Sequence, residues 1–181
     1  SSMWWLLGGI IAGSIAGLPI LERARGISAA AEIAQASGRV RQLMFGAVDF
    51  ALDLDVDIAD EPGAMADARF AVALASRQAG LAAPIDSVFT GIRDLDGLRA
   101  ASNRARAMGF GGKACIHPAQ IAVINEVFSP SEAELARARE IVAAFDAAEA
   151  AGAAAVSVGG VMVDYPVVEK ARRVLATARD H

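Results

Sequence analysis

Short apolar runs alternate with longer stretches of helical periodicity from residue 18 to residue 118. Leu18-Pro19-Ile20-Leu21 is a brief apolar run that ends at Glu22. The pattern then predicts a helix from Ser28 to Ala36, stopped by Gly38. Val40 to Phe45 reads as the next strand. Ala64 to Ala79 has helical periodicity and Gly80 closes it; Ile85 to Phe89 is a third strand. Asp94 can cap a helix whose face is Leu95, Leu98, Ala101, Ala105 and Met108, ended by Gly109. Lys113 to Ile116 is the fourth strand, running into His117-Pro118. Strand and helix in strict alternation predict an α/β fold with parallel strands and crossover helices. In such folds reacting groups collect beyond the C-terminal ends of the strands.

The rhythm changes after residue 128. Ser129-Pro130-Ser131-Glu132 reads as a capping box with proline at the first helical position, opening a long helix to about Ala151. Val156 and Val158 alternate before Gly159-Gly160, and Val161 and Val163 alternate after it, which is the signal of a tight β-hairpin. Asp164 follows at once, and Pro166 opens a final helix to about Ala178. Three segments result: 1–16, 17–128 and 129–181.

Composition narrows the partners. The 181 residues carry a net charge of −4 and no long basic block, so nucleic acid is not an expected partner. The single cysteine, Cys115, rules out an intrachain disulfide and suits a reducing, cytoplasmic setting. Hydrophobic residues make up 55%, much of it alanine suited to packed helices. Met3 to Leu21 has no charge, carries Gly9, Gly13 and Gly17 at helix-packing spacing, and has Trp4 and Trp5 near its start. It reads either as a membrane segment or as a buried helix leading into a strand. If Leu18 to Glu22 is a strand, Met3 to Gly17 is short for a span, so a membrane is not expected.

Candidate chemistry sits where the strands end. Glu22 and Asp49 each follow an apolar run, and two carboxylates on adjacent strand ends can hold Mg²⁺. Gly46 lets a ligand approach the backbone. The same acids can instead cap loops. Asp53, Asp55 and Asp57 alternate with Leu54, Val56 and Ile58 and read as a solvated face; they lack the glycine and glutamate of an EF-hand loop. His117 is either a substrate contact or a hydrogen bond at the turn. Cys115 reads as a core residue of its strand. Asp164 is either the N-cap of the last helix or a mobile acid/base group.

Five stretches carry a resemblance: "PILERARG" (19–26), "LMFGAVDFALDLD" (43–55), "APIDSVFTGIRDLDGLRAASNRARAMGFGGKACIHPAQI" (83–121), "VFSPSEAELARAREIVAAF" (127–145) and "VGGVMVDYPVVEKARRVL" (158–175). In this order they are similar to the citrate lyase β-subunit-like, or HpcH/HpaI aldolase, family of CoA-ester lyases. The resemblance runs from about residue 17 to the end. It implies a (β/α)₈ TIM barrel, here strands five to eight, with a C-terminal helix–hairpin–helix lid. It implies carbon–carbon bond cleavage or formation with Mg²⁺ (Mn²⁺ as an alternative) on an acyl-CoA thioester and a 2-oxo acid. By resemblance Glu22 and Asp49 are the metal ligands, and Gly46, Ala47 and Val48 belong to the segment that cradles the oxo-acid carboxylate. His117 is kept as a candidate substrate contact. Asp164 is the acid/base group, on a segment that closes over a neighbouring subunit, which implies a homo-oligomer (trimer or hexamer).

Three departures bear on this reading. Val48 stands where the family often has Glu, and Arg23 where it has Thr. The matched motifs also belong to the second half of the barrel. A non-enzymatic module of the same fold is therefore an alternative reading. An aldolase acting on free oxo-acids is a third, disfavoured by the lid segment.

Overall fold

The computed structural model describes residues 17–58 and 63–178. The membrane-like segment discussed above falls mostly in residues 1–16, outside the described residues. Among the described residues no helix is long and apolar enough to cross a membrane. The chain divides into two compact units, Ser1–Phe128 and Ser129–His181.

Four short parallel strands form the sheet of the first unit: β1 (Ile20–Leu21), β2 (Met44–Phe45), β3 (Ile85–Asp86) and β4 (Gly112–Lys113), in that order. Their register aligns Ile20 with Met44, Met44 with Ile85, and Ile85 with Gly112. The strands are shorter than their apolar runs suggested. Pro19 and Pro84 have no N–H to give the ladder. Beside Pro84 the Gln42 side chain donates to the Ala83 carbonyl (2.6 Å), adding a side-chain bond between the two segments. β4 also stops at Lys113, so Cys115 lies beyond it and is exposed, not a core residue.

Side chains alternate across the sheet. Leu21, Leu43 and Phe45 are buried against Ala30, Ile33 and Ala34 of α2 (Ala30–Gln35) and Met65, Ala68, Val72 and Ala75 of α4 (Ala64–Gln78). Each large side chain buried here is worth about 1.5–3 kcal/mol. Ile20, Met44, Ile85 and Gly112 alternate with this set, are only half-buried, and stand outside that cluster.

The helices follow the apolar periodicity with two differences. The expected helix at Ser28 to Ala36 is instead α1 (Ala24–Ser28) followed by α2, broken at Ala29. It starts early because Asp53 accepts a hydrogen bond from the Ala24 N–H (2.9 Å), a cap supplied from another element. The row of acids, read as a solvated face, is exposed and begins in a helix. This helix is α3 (Ala47–Leu54), terminated by Asp55 in the left-handed conformation (φ 57°). Asp55 and Asp57 are exposed, whereas Asp53 has the capping role and also meets Arg23 at 3.5 Å. In α5 (Leu95–Ala107), Asp94 accepts from the Gly97 N–H at 2.9 Å as expected. Leu98 packs with Val123 and Ile124 of α6 (Ile121–Phe128). An Arg99–Glu126 pair (2.6 and 2.8 Å) joins these helices, and the guanidinium holds the Glu126 carboxyl below its ordinary value.

One buried ionic cluster fastens the sheet to its helices. Asp86 is fully buried and receives Arg69 Nε of α4 at 2.8 Å and Lys113 Nζ of β4 at 2.6 Å. The Arg69 guanidinium also lies over the Phe45 ring, 5.4 Å from its centroid. Asp86 shares the alternation of Leu21 and Phe45, so the cluster sits at the sheet–helix interface.

The second unit is a helix, a hairpin and a helix. Two overlapping Ser-x-x-Glu patterns precede α7 (Glu132–Ala150), and the cap uses the later one. Ser131 Oγ accepts from the Glu134 N–H (3.2 Å) while the Glu134 carboxylate accepts from the Ser131 N–H (2.8 Å). Pro130 therefore precedes the helix. β5 (Val156–Val158) and β6 (Val161–Val163) pair antiparallel around Gly159 (φ 58°) and Gly160 (φ 78°). Two successive positive φ values are what a two-residue type I′ turn demands. Phe145, Val158, Val163 and Val168 form the buried core, the last from α8 (Tyr165–Thr177).

The buried cluster yields the first prediction. Asp86→Ala leaves two cations in a dry interface and should lower unfolding free energy by about 3–5 kcal/mol in urea denaturation. Replacing Arg69, Asp86 and Lys113 together by apolar residues should recover most of that loss. A loss under about 1 kcal/mol for Asp86→Ala would show that the cluster does not hold the sheet.

Candidate active site

Glu22 and Gly46 stand at the C-terminal ends of β1 and β2, one step beyond the aligned pair Leu21 and Phe45. The Gly46 N–H donates to the Leu21 carbonyl at 2.9 Å, so the alignment continues past the strands. A Cβ added at Gly46 would lie 2.7 Å from Glu22 Cβ and 3.4 Å from Glu22 Oε2. The glycine is thus what makes room for the half-buried Glu22. Gly46 is also the N-cap of α3, and Asp49 lies exposed in that helix's first turn.

Among the described residues neither Glu22 nor Asp49 has a hydrogen-bond or ion-pair partner. Two unpaired carboxylates, one at the end of β1 and one in the first turn of α3, are an oxygen-only donor set. That set fits Mg²⁺, which commonly takes one or two protein carboxylates and fills its shell with water and substrate oxygens. Among the described residues no group of three or more His, Cys, Asp or Glu is placed to hold a metal.

The backbone around them is divided between structure and free donors. The Gly46 N–H is spent on β1. The buried Ala47 N–H donates to the buried hydroxyl of Ser87 (2.9 Å). The first intrahelical bond is from the Phe50 N–H to the Gly46 carbonyl. The Val48 and Asp49 N–H groups, in the first turn, have no acceptor among the described residues. They present the positive end of α3 where an anion can bind. Of the segment expected to cradle a carboxylate, Val48 and Asp49 therefore carry the free amides. The Val48 side chain is exposed, and Arg23 turns to Asp53.

The remaining candidates stand elsewhere. His117 Nδ1 accepts from the Ala119 N–H at 3.1 Å, capping the 3₁₀ turn Pro118–Gln120. That bond leaves Nε2 as the N–H of the neutral ring. His117 lines a shallow depression with Ile92, Arg93, Leu95 and Ala119, and it does not meet Glu22 or Asp49. The fully buried Gln120 donates to the Phe89 carbonyl and accepts from the Ile116 N–H, tying the loop after β4 to the one after β3. Asp164, in the second unit, is the N-cap of α8. Its bond from the Val167 N–H is long at 3.4 Å, so much of its accepting capacity is unspent.

Sequence reasoning passed over Ser87 and Asp86. Asp86 carried a signal, since it follows the apolar Ile85 in a strand as Glu22 follows Leu21; Ser87, next to it, carried none. Gly46 gives a direct test. Gly46→Ala forces a contact with Glu22 Cβ and should cost about 1–3 kcal/mol in urea denaturation. Gly38→Ala, where nothing lies within 4 Å, should stay within about 0.5 kcal/mol of the parent. Equal behaviour of the two variants would mean that the glycine is not what seats Glu22.

Comparison with known proteins identifies the family. The pattern of the HpcH/HpaI aldolase/citrate lyase family matches residues 9–118, and that of the C–C bond lyases of the TIM-barrel fold matches residues 73–180. The citrate lyase subunit beta-like protein of Deinococcus radiodurans is 42% identical over 162 residues, covering 88% of this chain and 56% of that protein. The L-malyl-CoA/beta-methylmalyl-CoA lyase of Cereibacter sphaeroides is 35% identical over 176 residues, covering 88% and 55%. Among solved structures, CitE from Mycobacterium tuberculosis, in complex with magnesium, acetoacetate and coenzyme A, is 33% identical. It has a TM-score of 0.76 and coverage of 88% of this chain and 60% of that one. The chain spans about half the length of these relatives. Motif order, parallel sheet and relatives converge, and the chain belongs to the HpcH/HpaI aldolase/citrate lyase family.

Proposed function

We propose that this chain is the part of a (β/α)₈ barrel comprising strands five to eight, and that it serves a Mg²⁺-dependent carbon–carbon lyase of the CoA-ester type. The reaction is cleavage of a 3-hydroxyacyl-CoA to a CoA thioester and a 2-oxo acid, or its reverse. One observation carries this reading: Glu22 stands unpaired at the end of β1, and Asp49 stands unpaired in the first turn of the helix that follows β2, with Gly46 between them leaving Glu22 its space. The relatives support it, since CitE structures from M. tuberculosis were solved with magnesium and with acetoacetate, coenzyme A or pyruvate.

Glu22 and Asp49 would hold the metal; Mn²⁺ suits the same oxygen donors. When bound, the ion supplies a Lewis acid for the carbonyl and carboxylate of the oxo-acid. The free Val48 and Asp49 amides bind a carboxylate oxygen at the N-terminus of α3. In cleavage the hydroxyl passes its proton to solvent, from which Asp164 takes up the one it later delivers, and the C–O bond becomes the carbonyl. The carbon–carbon bond then breaks, and its electron pair passes to the thioester as an enolate. Asp164 delivers a proton to the enolate carbon, and in condensation it removes one. Supplied by a neighbouring copy, Asp164 makes the working form a homo-oligomer, a trimer or hexamer, in the cytoplasm. The N-cap bond of Asp164 orients the carboxylate without consuming it.

A thermal melt tests this. Mg²⁺ with glyoxylate or oxaloacetate at a hundred times its dissociation constant should stabilise the wild type by about 2.7 kcal/mol, and the shift should vanish in Asp49→Asn. A cooperative melt indifferent to both ligands would instead favour the non-enzymatic module.

A further inference from the structure

We infer that Ser87 is a positioning residue, setting which amides of α3 meet the substrate carboxylate. A helix start offers several N–H groups without internal partners. Here the first after the N-cap, Ala47, is 2% exposed and donates to Ser87 Oγ, itself 3% exposed, at 2.9 Å. The bond crosses from the end of β3 to the end of β2. It takes Ala47 out of the anion's reach and leaves Val48 and Asp49 as the donor pair. The anion is thereby placed beside Asp49, one of the two carboxylates at this end of the sheet.

Ser87 is itself held. It follows Asp86, whose carboxylate is gripped by Arg69 and Lys113 and whose carbonyl accepts from the Ala114 N–H at 2.9 Å. A rigid strand end thus fixes a hydroxyl, and the hydroxyl fixes a helix start. No sequence motif reports this, because Ser87 touches the site only through the Ala47 amide.

The effect on the helix start does not depend on the lyase reading; the effect on the carboxylate rests on it. Amide exchange in Ser87→Ala and Ser87→Thr, read residue by residue by NMR, tests the first. The Ala47 amide should exchange roughly tenfold faster in Ser87→Ala, while those of Met44 and Ile85 keep their parent rates. Ser87→Thr retains the oxygen and should restore the parent pattern. Unchanged Ala47 exchange in Ser87→Ala, a uniform rise through β2 and β3, or no rescue by threonine would each overturn the inference. Titration with glyoxylate in Mg²⁺ then reads the second. Affinity should fall about tenfold in Ser87→Ala and return in Ser87→Thr. Equal affinity in parent and Ser87→Ala overturns the role toward the carboxylate. No binding by the parent counts against the lyase reading, and the exchange result still decides the role of Ser87.

Discussion

A carboxylate sealed from water must be answered by partners, and Asp86 is the residue through which this requirement shapes the first unit. Its two oxygens fix one side chain from α4 and one from β4. The end of the sheet is therefore set by short, directional charge-assisted bonds as well as by apolar packing. The strands are two residues long, and ladder bonds alone would hold their ends loosely. The ionic cluster lies on the helix side of the sheet, while Glu22 and Gly46 stand at the strand ends. The buried ion pairs and the candidate site thus occupy different places on one small sheet.

The sequence showed the alternation of elements, the helix stops at Gly80 and Gly109, the Asp94 cap and the Gly-Gly hairpin. Each is a local signal: glycine alone takes positive φ readily, and a short polar side chain answers a free N–H nearby. The early start of α1, the existence of α3 and the exposure of Cys115 were not legible. Asp53 caps Ala24 across 29 positions of sequence, and no local window contains that bond. The acids of residues 53–57 alternate with apolar residues, which hides the helical period of the stretch before them. Only the packing of Ala47, Phe50 and Ala51 into the core shows the helical period. Cys115 depends on where β4 ends, which is decided by its neighbour strand.

The candidate site divides along the same line. Glu22, Gly46 and Asp49 were readable because strand ends collect function and because the motif order was distinctive. Ser87 was not, since a serine inside an apolar run carries no signature until its partner is seen. His117 and Asp164 were readable as residues worth watching, and both turn out to cap a turn or a helix. A capping bond and a chemical role draw on the same property, an oriented acceptor at a chain reversal. One residue can hold both when its cap bond is as long as that of Asp164.

The Gly159-Gly160 turn has a bearing on how this chain can change over generations. A two-residue turn leaves no slack between β5 and β6, and Val158 and Val163 must both face the core. Gaining or losing a single residue there would put the wrong face of one strand inward and rotate everything after it, Asp164 included. Length variation in this hairpin should therefore be inherited in steps of two, while point substitutions on its outer face, at the facing pair Ser157 and Met162, drift freely.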